Sequence, residues 1–300
     1  MAPATSFGPT ANIKRTDRVR STKPKIGVMA PASRIEAAIA GQVKEIAAAL
    51  YPGRGVEFVF HPQCFKSSGH FAGDDAERTD AFVEIANDAS LDALWFAKGG
   101  YGSCRLADGF VDRLGEAARD KAYLGYSDTG SLLGGLYRAG FAKVAHGPMP
   151  SDIRRAGGEA AVGRALAWLI DGAHHALEPS LAAGTKAAAF NITILGHLLG
   201  TPLEPDLGGH VLMLEETSEE MYRIDRALFH ITSAPAIRRV AGIRLGRCSD
   251  IPPNDPPFER TEEEVIAFWC KRSGIPYLGR ADIGHDVDNK IVPFGDIGSG

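Results

Sequence analysis

The sequence is short of cysteine, of long apolar runs and of an excess of either charge, and each shortage removes a class of protein. Only Cys64, Cys104, Cys248 and Cys270 occur in 300 residues, with no CxxC pair among them. A disulfide framework or zinc ribbon is therefore not expected, and four reduced thiols in a cytoplasmic protein are. No stretch of about 18 apolar residues exists to span a membrane. Lys and Arg number 33 against 37 Asp and Glu, and no basic stripe alternates with aromatics, so a nucleic-acid partner is not expected. GxGxxG, GxxxxGK[ST] and HExxH are all absent, which removes the usual dinucleotide, P-loop and zinc-protease signatures. The opening residues carry Lys14, Arg15, Arg18 and Arg20 but no apolar run. That is unlike a signal peptide, and residues 1–24 are expected to form a disordered tail.

What is present is an alternation of strands and helices. Apolar runs at 26–30, 56–60, 91–97 and 122–126 read as strands; 36–50, 75–88 and 131–139 read as helices between and after them. Such alternation predicts α/β structure: a parallel, Rossmann-like (flavodoxin-like) N-terminal domain over 25–170. A connector over 171–185 leads to a smaller C-terminal α+β domain, 186–300, whose segments are less regular. In parallel sheets function collects beyond the carboxyl ends of the strands. Three loops there, 30–33, 98–102 and 127–130, are built from small or hydroxylated residues.

Gly125-Tyr126-Ser127-Asp128 joins a strand to a helix, as a nucleophile elbow does, although Thr129 stands where GxSxG has its second glycine. The competing reading of Ser127 is a plain helix cap. Gly99 and Gly100 follow another strand. They form either a tight turn or a source of backbone N–H donors for a substrate oxygen, with the amide of Asp128 as the second donor. Lys98 and Tyr101 in the same loop, and Asn191 further on, are candidate substrate contacts. Glu215 and Glu216 end a strand, and only one of them can face a given pocket. His285 lies in the acidic segment 282–288, where neither HExxH nor a calcium-loop pattern is met, so no metal is expected.

In order and spacing these fragments resemble the LD-carboxypeptidase family, the serine peptidases of the muramoyltetrapeptide carboxypeptidase and microcin-immunity type. They are Ile26–Ser33, Gly73-Asp74-Asp75, Gly99–Gly102, Gly125–Asp128, His146–Met149, Asn191, Gly200-Thr201-Pro202, Leu214-Glu215-Glu216, Tyr222–Arg226 and Gly284-His285. The resemblance implies a triad of Ser127, Glu215 (rather than Glu216) and His285, with oxyanion donors at the amides of Gly100 and Asp128. It also implies a murein peptide substrate losing a terminal D-alanine, no cofactor, and a homodimer. Lys98, Arg105 and Arg223 are candidates for the terminal carboxylate. An alternative within the family is hydrolysis of aminoacyl- or peptidyl-nucleotide conjugates, which an aromatic platform for a base would favour; Trp95 and Trp168 are present, but the first lies in an expected core strand and the second on a helix. An alternative outside catalysis is a binding protein on the same fold. The chain departs from the family pattern at Lys98, at Ala189-Phe190 and at Thr129, and the first two are expected to reshape the substrate pocket.

Overall fold

The computed structural model describes residues 23–106 and 109–296; the tail expected over 1–24 lies, save for its last two residues, outside them. The first half contains β1 (Lys25–Met29), α1 (Ala37–Leu50), β2 (Glu57–Phe60), α2 (Asp75–Asn87), β3 (Ala93–Phe96), α3 (Glu116–Arg119), β4 (Ala122–Gly125), α4 (Gly130–Arg138), β5 (Val144–His146) and α5 (Gly158–Asp171). The second contains β6 (Lys186–Asn191), α6 (Ile192–Leu198), β7 (Val211–Thr217), α7 (Met221–Ser233), β8 (Gly242–Ser249), α8 (Glu262–Ser273), β9 (Tyr277–Arg280), β10 (Val292–Pro293) and β11 (Gly295–Asp296).

Strands β1 to β5 pair in parallel in the order 2-1-3-4-5, the flavodoxin-like arrangement. Strand β3 is buried along its whole length and β1 from its second residue on, as unbroken apolar runs between two helical layers must be. Helix α1 buries Ile39, Val43 and Ala47 at a four-residue spacing. Helix α2 starts with a capping box, the Glu77 amide donating to Asp74 at 2.8 Å and the Asp74 amide to Glu77 at 3.0 Å. The second sheet is also mainly parallel, β6-β7-β8-β9.

The last described stretch of chain joins the two sheets. Strand β10 adds antiparallel to β5 in the first sheet, and β11 adds antiparallel to β6 in the second. Phe294, between them, is buried; its amide donates to the Val144 carbonyl at 2.8 Å. Its ring meets Tyr137 of α4 edge-on at 5.6 Å and Phe190 of β6 at 5.0 Å. One apolar cluster runs from Phe82 and Phe96 through Leu132 and Leu136 to Leu195, Leu214 and Leu245, so the seam between the sheets is continuous core. Phe294→Ala should therefore cost about 3–5 kcal/mol of unfolding free energy. Urea denaturation measures it, and a loss below about 1 kcal/mol, the level of an exposed substitution, would show that the ring does not pin the seam.

Candidate active site

The carboxyl ends of β1, β3 and β4 bring the three small-residue loops together. Ser127 leaves β4 with φ at 60°, a left-handed conformation that non-glycine residues rarely adopt and that costs on the order of 1–3 kcal/mol. The turn is held from several sides. Thr129 Oγ1 donates to the Tyr126 carbonyl at 2.9 Å, and the Gly147 amide donates to the Gly125 carbonyl at 2.9 Å. The buried Asp128 carboxylate accepts from the amides of Ser103 at 2.8 Å and Gly102 at 3.3 Å, while Ser103 Oγ donates to the Asp128 carbonyl. Burial raises the Asp128 pKa, and those two amides oppose the rise only in part. Asp128 thus fastens the glycine loop to the elbow.

The loop lies directly on the serine. A Cβ built on Gly99 would stand 3.0 Å from both Cβ and Oγ of Ser127. Gly100 has φ at 109°, and a Cβ there would meet Ser33 Oγ at 2.6 Å, so glycine is required twice over. Among the described residues the Gly100 amide has no hydrogen-bond partner. The Asp128 amide belongs to the first turn after the elbow, where amides lack helical acceptors. Fully buried Arg78 braces the arrangement from below, donating to the carbonyls of Pro31 and of Gly102 (2.9 Å).

The second sheet delivers an acid and a histidine. Glu215 and Glu216 point apart on β7. Glu216 is consumed structurally, accepting from Asn191 Nδ2 at 2.5 Å and from the amides of Thr193 and Thr217 at 2.9 Å each. Glu215, wholly buried, accepts from His285 Nδ1. Pairing between β7 and β8 slips by one residue beside it, since Leu214 faces Leu245 but Glu216 faces Cys248. Gly246 lies in that slip. A Cβ on it would stand 2.7 Å from the Ile283 carbonyl and 3.0 Å from Glu215 Cβ, so only glycine lets the His285 loop approach. Arg247 then clamps the loop, bonding Asp282 at 2.5 Å and both oxygens of Asp286. The acidic residues flanking His285 therefore face a guanidinium.

Burial disfavours a charged imidazole at His285. The Glu215 carboxylate, by charge and hydrogen bond, more than offsets this and holds the pKa above its ordinary 6.5. With the carboxylate as acceptor, Nδ1 carries the proton and Nε2 keeps its lone pair. The ring also packs on Tyr126 at 4.9 Å, and Tyr126 packs on His146 at 5.6 Å. His146 is buried and pushed down to about 4, so it stays neutral; it bonds Asn289 Oδ1 at 3.1 Å, which also accepts from the Gly284 amide at 3.2 Å.

Ser127 and His285 line one cleft of about 590 Å³, a volume typical of small-ligand sites. Among the described residues neither Ser127 Oγ nor His285 Nε2 has a hydrogen-bond partner, so the link between them is open here, as it often is without substrate. Lys98 lines the cleft, and the half-exposed Tyr101 stands outside its lining beside His70. Asn191 does not reach it: its Oδ1 caps α6 by accepting from Ile194 at 3.1 Å, and its Nδ2 is spent on Glu216. That corrects its expected substrate contact. Neither Arg105, paired with Asp75 at 2.6 Å, nor Arg223, paired with Glu220 at 3.2 Å, lines the cleft, so both fall away as carboxylate binders. Phe190 packs in the seam and does not reshape the pocket. Five charged lining residues were not foreseen, namely Arg34, Glu36, Asp152, Arg154 and Arg155. The sequence signal for three of them is Pro150–Arg155, directly after His146–Met149 at the end of β5.

Comparison with known proteins gives the family and the fold. The sequence matches the model of the LD-carboxypeptidase N-terminal domain over residues 26–147 and that of the C-terminal domain over 186–297. It is 30% identical over 251 residues to a Synechocystis sp. protein assigned as a carboxypeptidase, covering 80% of each chain. It is 25% identical to the murein tetrapeptide carboxypeptidase of Pseudomonas aeruginosa, covering 90% of this chain and 91% of the other. In fold it resembles the muramoyltetrapeptide carboxypeptidase of Oxalobacter formigenes, with a TM-score of 0.74 at 21% identity over 90% of this chain and 92% of the other. The microcin C7 self-immunity protein MccF, in complex with aspartyl sulfamoyl adenosine, has the same TM-score at 17% identity over 92% of each chain. With both domain models matched in order across most of its length, the chain belongs to the LD-carboxypeptidase family.

Proposed function

We propose that this chain is a serine carboxypeptidase that removes the terminal D-alanine from murein tetrapeptides, cutting after the L-centre of the diamino acid. The observation that carries the reading is the cleft itself. A serine held at positive φ and a histidine bonded to a buried glutamate come from different halves of the chain and line the same cleft. The cleft also carries four cations (Arg34, Lys98, Arg154, Arg155) against two carboxylates (Glu36, Asp152), which suits a peptide bearing several carboxylates. We divide the chain accordingly into a nucleophile domain, 25–170, and a domain supplying Glu215 and His285, 186–300.

In this mechanism Ser127 Oγ attacks the carbonyl carbon as His285 Nε2 takes its proton. The oxyanion is met by the amides of Gly100 and Asp128. The C–N bond breaks, the proton passes from His285 to the leaving amine of D-alanine, and an acyl-enzyme remains on Ser127. Water, deprotonated by the same imidazole, then releases the tripeptide. Glu215 keeps the imidazole in the required tautomer and stabilises its charged form. Hydrolysis of nucleotide conjugates is less well supported: Trp95 is buried in the first sheet with its Nε1 on the Pro148 carbonyl, and Trp168, on α5, packs against the apolar core.

Purified protein should release free D-alanine from a murein tetrapeptide, and Ser127→Ala should lower kcat by roughly 10⁴- to 10⁶-fold. Absence of release by the unsubstituted chain would remove the murein substrate. The acid limb of kcat/KM reports the free enzyme's base. His285 must be neutral to act, so activity should fall as pH drops through a value above 6.5. Glu215→Gln removes the charge that raises this pKa and leaves the burial that lowers it. Its acid limb should move to lower pH while the plateau falls roughly 10²- to 10⁴-fold. A limb unmoved by that substitution would show that Glu215 does not set the histidine.

A further inference from the structure

A carboxypeptidase has to read a carboxylate that lies one carbon beyond the departing nitrogen. In the mechanism proposed above, His285 hands its proton to that nitrogen. The carboxylate anchor must therefore be a cation on the His285 side of the cleft, away from the oxyanion amides.

Four cations line the cleft. Lys98 opens the glycine loop and stands on the oxyanion side, next to Gly99 and Gly100. Arg34 is exposed in the loop after β1. Arg154, its side chain 58% exposed, leans on Glu36 at 3.4 Å. Arg155 differs from these in two ways. It lies close enough to the His285 ring for its charge to oppose protonation there. It is also held in place: its Nε donates to Asp152 Oδ1 at 3.2 Å, and the Asp152 side chain is only 5% exposed. Asp152 in turn accepts from Tyr126 OH and from the Met149 amide, both at 2.8 Å. Tyr126 is the ring on which His285 packs. A continuous chain of contacts thus sets Arg155 relative to the histidine.

We infer that Arg155 is the residue that binds the substrate's terminal carboxylate, its guanidinium oriented for the task by Asp152 and Tyr126. The inference rests on the carboxypeptidase reading. A guanidinium has five N–H donors in a fixed fork. Asp152 engages the Nε edge, and the side chain, which lines the cleft, remains 41% exposed. The other edge is free to take a carboxylate in a two-point bond, which a lysine ammonium cannot reproduce. The Asp152 carboxylate is occupied by Arg155, Tyr126 and the Met149 amide, and its role is to aim the cation.

The test compares a murein tetrapeptide ending in free D-alanine with the same peptide ending in D-alanine amide. Steady-state kcat/KM is measured for the unsubstituted chain, Arg155→Ala, Arg155→Lys and Lys98→Ala. A charge-assisted contact predicts that the unsubstituted chain favours the acid by roughly 10- to 100-fold. Arg155→Ala should lose that factor on the acid relative to the amide, bringing the ratio towards one whatever the change common to both substrates. Arg155→Lys should retain only part of the preference. Both substrates are read on the same preparation, so a loss of folded protein cannot change the ratio, and the lysine variant decides if the alanine variant does not fold. An unchanged ratio in both Arg155 variants, or a collapse in Lys98→Ala instead, overturns the inference alone. Cleavage of neither peptide by the unsubstituted chain overturns the carboxypeptidase reading and this inference with it.

Discussion

The bond between the Glu215 carboxylate and His285 is the contact around which the rest of the site is arranged. Glu215 is wholly buried, and a carboxylate taken out of water is destabilising unless a partner compensates for it. Its Oε2 has the imidazole, and Oε1 has no hydrogen-bond partner among the described residues. The chain supports that contact at some local cost. The strand slip at Gly246 makes room for the 283–285 loop, Arg247 draws Asp282 and Asp286 against β8, and Asn289 ties the Gly284 amide to His146. These contacts lock the ring's position before any substrate arrives, which is the condition for transition-state stabilisation without reorganisation.

The acid and histidine are useful only if the other half of the site stays in register with them. That half is built on a different sheet, so the seam is a functional element. Strands β10 and β11, a few residues beyond His285, pair with opposite sheets, and Phe294 between them fills the seam. The loop bearing the histidine therefore runs straight into the segment that fixes one sheet against the other. On the serine side the strain at Ser127 is balanced by Thr129 and by Asp128 and Arg78, which reach the glycine loop. Both halves follow one logic, in which buried polar groups hold short loops where catalysis needs them.

Much of this was legible in the sequence, and the reasons are physical. Strands β1, β3 and β4 read clearly because strands covered on both faces need unbroken apolar runs. Helices α1 and α2 read clearly from the spacing of their apolar residues. The loops at 98–102 and 127–130 stood out because small residues crowd where backbone must approach backbone. Strands β5, β10 and β11 did not read, since two or three residues carry no period. Asn191 was misread as a substrate contact because an N-cap buried beside a carboxylate has the same residue type as a ligand-binding amide. Arg155 was missed for the opposite reason: Pro150–Arg155 looks like an ordinary polar turn, and only the fold turns it towards His285. The fold class and family followed from pattern and order; the direction of individual side chains followed only from packing.

The central claim is that Ser127 is made nucleophilic by a histidine supplied from the other sheet. Reaction with a fluorophosphonate, in which Ser127 Oγ bonds phosphorus and fluoride leaves, tests it without assuming any substrate. Mass mapping of the modified chain should find one adduct, on Ser127, and His285→Ala should abolish it while the chain stays folded. An adduct on a different serine, or labelling of Ser127 that persists undiminished without His285, would contradict the account.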